Sequence, residues 1–160
     1  MSEIIILPKP IDEASFAPFG QVLNSPGESP RHDHAAEVAN QRDEAAINVA
    51  VVRALPAKLP LQVSALERHP FSSQSFFPLD VGRYLIAVAT ADGDKPDLAG
   101  LQAFIVDGST AINYAPGVWH HPLQTLDDPG TFALLMWEDG GPRDTDWHQV
   151  EGEVRIEIGG

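Results

Sequence analysis

There is no cysteine among the 160 residues, which excludes disulfides, thiolate zinc sites and cysteine nucleophiles together. Positive charge is scarce as well: ten Lys and Arg stand against 23 Asp and Glu, a formal net charge of −13. Those cations are scattered singly along the chain, so no basic stripe exists to displace counterions from a phosphate backbone. Neither nucleic acid nor an anionic lipid surface is an expected partner. Long apolar runs are also missing. None approaches the roughly 20 residues that cross a bilayer, and the short run Ile4 to Leu7 has no basic leader to make it a signal peptide. The expected location is the cytoplasm, with no membrane association.

What is present is an ordinary globular balance, 43% hydrophobic and 21% charged, enough for one domain over residues 1–160 with one substantial core. Fourteen prolines and thirteen glycines cut the chain into apolar runs mostly too short for helices, which is strand-and-turn punctuation. The runs Ile47 to Val52, Gln74 to Pro78, Tyr84 to Ala89, Ala103 to Val106, Phe132 to Trp137 and Val154 to Ile158 read as strands. Many short strands imply a mainly β sandwich or barrel. Short helices are expected at Asp12 to Phe19, capped by Asp12, and at Asp97 to Leu101 after Pro96. The polar stretch Asn24 to Ala46 reads as an extended loop or lid, and Asp139 to Asp146 as an exposed turn.

Chemistry-bearing side chains gather in two places. In Leu66-Glu67-Arg68-His69-Pro70, strand alternation projects Glu67 and His69 to one side and Arg68 to the other, and Pro70 confines the strand to an edge or an end. In Gly117-Val118-Trp119-His120-His121-Pro122, a tight turn leads into a strand, and only one of the two adjacent histidines can point inward. His32 and His34 sit in the polar stretch and read as solvated, unless a closing lid brings one over a pocket.

The spacing resembles the two motifs of the cupin superfamily, with Glu67, His69, Gln74 and Gly82 in the places of the first, and Pro116, Gly117 and His120 in the second. A closer resemblance is to the ureidoglycolate lyase family, itself cupin-like. It rests on Leu66 to Pro70, on Asp94-Lys95-Pro96-Asp97-Leu98, and on Asn113-Tyr114 through Val118-Trp119-His120-His121-Pro122-Leu123, in order. That resemblance covers about Ile47 to Leu135 and implies a cupin-like antiparallel β-barrel with a few short helices. It implies a carbon–nitrogen lyase of the amidine-lyase type, splitting ureidoglycolate into glyoxylate and urea in allantoin and purine nitrogen catabolism, and working as a homodimer. The family pattern differs from this chain in the first third, where Arg31-His32-Asp33-His34 and Asn40-Gln41-Arg42-Asp43 stand. It differs again after the late apolar strand, at Trp137-Glu138-Asp139-Gly140.

Such a cleavage needs a base for the hydroxyl proton, an acid for the departing urea nitrogen and a cationic clamp for the carboxylate. His69 and His120 are the candidate base and acid, with Glu67 to orient or deprotonate a histidine. Alternatively Glu67, His69, Gln74 and His120 hold a weakly bound divalent metal that polarises the hydroxyl. The candidate clamp is Arg53, which shares a strand face with Ile47, Val49 and Val51. Gln74 and Tyr114 complete the expected substrate side. Each has a plainer reading: a histidine beside proline can simply hydrogen-bond a carbonyl, Glu67 can be paired at the surface, and Arg53 can be an ordinary strand-end charge. Trp119 and Tyr114 suit packing, His121 a structural role, and Lys95 a turn. The alternatives to the lyase are a non-catalytic cupin that binds a small organic acid and a different cupin enzyme with firmly held metal.

Overall fold

A computed structural model describes residues 2–34 and 37–159, so residues 35 and 36 of the expected loop lie outside the described residues. Two large sheets face each other. One contains, in spatial order, the strands Gly20–Leu23, Ala111–Tyr114, Gln74–Asp80, Gly130–Glu138 and Ala46–Ala54, all antiparallel. The other runs Asp146–Gln149, Ala65–Arg68, Trp119–His120, Arg83–Ala89, Gln102–Asp107 and Lys9–Pro10, with Gln124–Thr125 also paired to Arg83–Ala89. A small sheet of Ile4–Ile6, Val154–Ile156 and Leu61–Gln62 covers the outside of the second. Among the described residues no continuous ladder joins the two large sheets. The mainly β, cupin-like arrangement expected from the sequence is present, as an open barrel.

Arg83–Ala89 shows why these residues make this architecture. It is buried along nearly its whole length because it is the middle strand of the middle layer, and a strand covered on both faces reads as a continuous apolar run instead of an alternating one. Tyr84, Ile86 and Val88 enter the core between the large sheets, with Phe76, Phe104, Ile112, Tyr114 and Phe132. Leu85, Ala87 and Ala89 enter the outer core with Leu66, Trp119, Val154 and Ile156. Phe132 sits at the centre of the inner core, edge-on to Tyr84 at 5.0 Å and to Phe76 at 6.2 Å. Burying one such ring contributes about 1.5–3 kcal/mol.

The expected strands are all present, most extended by one or two residues, whereas Val154–Ile156 stops short of Ile158. Gly20–Leu23, Ala111–Tyr114 and Asp146–Gln149 were not expected; they are too short and too mixed to stand out by periodicity. Asp12 caps the first helix by accepting from the Ser15 amide at 2.8 Å, but the helix spans only Glu13–Phe16. Near Asp97 the turn is a 3-10 helix, Leu98–Gly100, with Asp97 as its cap. Among the described residues no helix is long and apolar enough to cross a membrane.

Candidate active site

Glu67 and His120 lie directly opposite each other on neighbouring antiparallel strands. His69 stands one residue past the end of Ala65–Arg68, where Pro70 stops the strand. The turn that delivers His120 needs Gly117, whose φ of 80° is a conformation L-residues rarely adopt. That glycine also ties the two motifs together, its amide donating to the His69 carbonyl at 2.9 Å. Arg68 points the other way, as alternation requires. Its guanidinium lies 4.7 Å over the Trp119 ring and pairs with Asp146 at 2.9 Å.

Both imidazoles are anchored through Nδ1. His69 Nδ1 lies 3.1 Å from the Asp144 carbonyl and 3.1 Å from Thr145 Oγ1, and His120 Nδ1 lies 3.0 Å from the Val118 carbonyl. A carbonyl can only accept, so Nδ1 carries the proton in each ring, and in the neutral ring Nε2 is left with a lone pair. Both Nε2 atoms are buried without a hydrogen-bond partner. Glu67 Oε1 stands 3.4 Å from His120 Nε2, and one ligand atom from each of Glu67, His69 and His120 falls within 4.8 Å of the others. Lone pairs facing one another in a buried space repel unless a proton or cation lies between them.

This donor set fits a divalent metal: two imidazole nitrogens, one carboxylate oxygen, and both rings held by a carbonyl behind them, the usual support of a metal-ligating histidine. Burial, followed by the charge of His120, holds the His69 pKa below its ordinary 6.5 and favours the ligand form. For Glu67, burial raises the pKa, but the approach of His120 at 3.4 Å and the charges of His69 and His121 outweigh it and leave it lowered. The carboxylate is therefore kept ionised in a half-buried place.

Two more groups come from the opposite sheet. Tyr114 stacks on His120, with ring centroids 4.5 Å apart and planes at 18°. Its hydroxyl is buried without a partner, and burial pushes its pKa well above 10, so it remains a neutral phenol. Gln74 is buried, its Nε2 3.5 Å from Met136 Sδ, while its Oε1 has no hydrogen-bond partner. Four unpartnered buried polar atoms thus belong to His69, Gln74, Tyr114 and His120. Groups left this way in a protein interior each need a water, ion or ligand.

Arg53 is not with them. Residues Ile47, Val49, Val51 and Arg53 do share a face of Ala46–Ala54, but it is the outward one: Val49 is 65% and Val51 70% exposed. The inward side carries Val52 and Ala54, which pack on the inner core. Arg53 lines a shallow surface recess with Asp80, Pro129, Gly130 and Thr131, so the expected anion clamp is corrected. Period-two alternation says which residues share a face and not which face is covered. His32 and His34 lie by Phe77, Pro78 and Ser109 on the outer side of that sheet, and His121 is half-buried with Nδ1 2.8 Å from the Pro122 carbonyl.

Sequence reasoning missed Asp144 and Thr145, which hold His69, and Arg42, which holds Asp144 at 2.7 Å. Their only local trace is turn chemistry around Gly140-Gly141-Pro142.

The family model described as "Ureidoglycolate lyase" matches residues 3–157. A ureidoglycolate lyase of Azotobacter vinelandii is 39% identical, with 84% of this chain and 86% of that protein covered. One from Pseudomonas syringae pv. tomato is 36% identical, with 92% and 91% covered. Among solved structures, a dTDP sugar isomerase from Desulfovibrio desulfuricans aligns at 14% identity over 83% of this chain and 82% of that one, with a TM-score of 0.48.

Proposed function

The chain belongs to the ureidoglycolate lyase family, and from that premise we propose that it cleaves ureidoglycolate to glyoxylate and urea at the Glu67, His69 and His120 cluster. The step would serve the breakdown of allantoin and purine nitrogen in the cytoplasm. The observation that supports this most is the pair of buried, unpartnered Nε2 atoms beside an ionised carboxylate.

The reaction moves one proton and breaks one bond. As the hydroxyl oxygen forms the glyoxylate carbonyl, its proton leaves to a base, the carbon–nitrogen bond breaks, and the urea nitrogen takes up a proton. His69, held in its basic form by burial, suits the first role, because its Nε2 lone pair faces inward. His120, entering as an imidazolium stabilised by Glu67 at 3.4 Å, gives its Nε2 proton to the nitrogen, and the proton gained by His69 passes to His120, whose ring centroid is 5.3 Å away, to reset the pair. The Tyr114 phenol donates to a substrate oxygen, and the Gln74 amide fixes the polar end of the substrate. Alternatively, a divalent ion held by Glu67, His69 and His120, with Gln74 as fourth ligand, would supply the positive charge toward the substrate hydroxyl and carboxylate that Arg53 does not, the two imidazoles then serving as ligands in place of base and acid.

The test is turnover of ureidoglycolate by purified protein with and without added divalent metals, measuring glyoxylate, urea and ammonia. Equimolar glyoxylate and urea without ammonia is expected; ammonia in place of urea means hydrolysis, and no glyoxylate under any condition overturns the reading.

We also propose a homodimer formed through the outer face of the sheet that ends in Ala46–Ala54. Ile47, Val49, Val51, Phe77 and Leu79 are all exposed there, an apolar patch of the kind a second copy covers. Sedimentation should give a dimer and Val51→Glu a monomer. A monomeric wild type would overturn this.

A further inference from the structure

We propose that Arg42 is a positioning residue for His69, acting through Asp144 to hold the imidazole with Nδ1 protonated and Nε2 turned into the site. The proposal rests on His69 serving the reaction above, but it can be tested without that reaction.

Arg42 belongs to the polar stretch expected to be an extended loop or lid. Its end is instead tied down beside the site: Asn40 bridges to Ser72, the Gln41 amide donates to the Phe71 carbonyl at 2.8 Å, and the Ser73 amide donates to the Ala39 carbonyl at 2.9 Å. This track lies against the residues that immediately follow His69-Pro70. From it the Arg42 side chain, only 3% exposed, reaches Asp144 Oδ1 at 2.7 Å and Asp139 Oδ2 at 3.2 Å, and its guanidinium lies 5.3 Å over the Phe71 ring.

The Asp144 carboxylate receives three donors: Arg42 Nη2, the Asp139 amide at 3.0 Å and the Gly140 amide at 2.8 Å. Those bonds close the 139–144 turn on itself. The main-chain carbonyl of the same Asp144, with the neighbouring Thr145 hydroxyl, is what His69 Nδ1 meets. A guanidinium, a carboxylate, one residue of backbone and an imidazole therefore form a continuous connection from Arg42 to His69 by way of Asp144, which is 102 positions from Arg42 in sequence.

A buried ion pair adds little net stability over an apolar replacement of equal volume, because desolvation offsets most of the attraction. What it does supply is direction: Arg presents a planar fork that a carboxylate meets in few orientations. A turn rich in Gly140, Gly141 and Pro142 has no core side chain to fix it, so its carbonyl is placed by this pair. Supporting residues of this type change affinity or activity by about 10–100-fold when removed.

The test uses purified, 15N-histidine-labelled protein, with the His69 tautomer read from two-bond proton–nitrogen correlations, together with steady-state kinetics. Wild type should show the Nδ1-protonated form. Arg42→Met should show a tautomer mixture at His69, with kcat down about 10–100-fold and KM nearly unchanged, and Arg42→Lys should recover part of both. Asp144→Asn, nearly isosteric, should move both readouts the same way and decides the matter if Arg42→Met does not fold. A folded Asp144→Asn or Arg42→Met protein with the wild-type His69 tautomer overturns the proposal. If wild type releases no glyoxylate, the lyase reading fails while the tautomer measurement still decides the role of Arg42.

Discussion

Replacing His120 with Gln tests the site most directly. The imidazole stacks on Tyr114 at 4.5 Å, bonds the Val118 carbonyl through Nδ1 at 3.0 Å, approaches Glu67 at 3.4 Å and lies 5.3 Å from the His69 ring. An aromatic stack is worth about 0.5–1.5 kcal/mol and a neutral hydrogen bond about 0.5–1.5 kcal/mol, and glutamine keeps some of the packing. A net loss of about 1–2 kcal/mol follows, or a Tm lower by about 2–8 °C for a chain of this size. Such a protein remains folded. The effect on rate should be far larger: losing a positioned acid or base costs about 10²–10⁴-fold in kcat, equivalent to about 2.7–5.5 kcal/mol of barrier. Glu67 would also titrate higher, because burial, the main influence opposing its ionisation, would no longer be outweighed by His120. The assay is glyoxylate release with parallel thermal melts. A folded His120→Gln protein whose kcat/KM stays within tenfold of wild type refutes the assigned role.

Two further outcomes follow from the same geometry. Burial, with a smaller contribution from His120, lowers the pKa of His69, and burial chiefly lowers that of His121, both below 6.5. A lowered folded-state value means the unfolded chain binds more protons, so stability is complete above pH 6.5 and declines as pH falls through the folded values. Melts between pH 8 and pH 5 should show Tm falling only on the acid side; a Tm that is flat or rises there contradicts the assignment. Arg53→Ala, at an exposed position away from the cluster, should leave kcat/KM within about twofold and stability within about 0.5 kcal/mol. A tenfold loss of turnover would restore Arg53 to the site.

Much of this protein is decided locally. The pair Glu67 and His69, two residues apart before a proline, and His120 after a glycine turn can be read from spacing because both depend on short-range rules: strand alternation, the missing amide of proline and the φ freedom of Gly117. The longer strands were legible for the same reason, as was the absence of any site built on cysteine. Tertiary structure decided the rest. It made the Val49 and Val51 side of Ala46–Ala54 the outer one, which took Arg53 away from the cluster. It set Tyr114 from the facing sheet against His120. It also placed Arg42 and Asp144 behind His69, 102 residues apart in the chain. Pattern within a strand carries no information about which face another layer will cover, and a contact across such separations exists only once the sheets have packed.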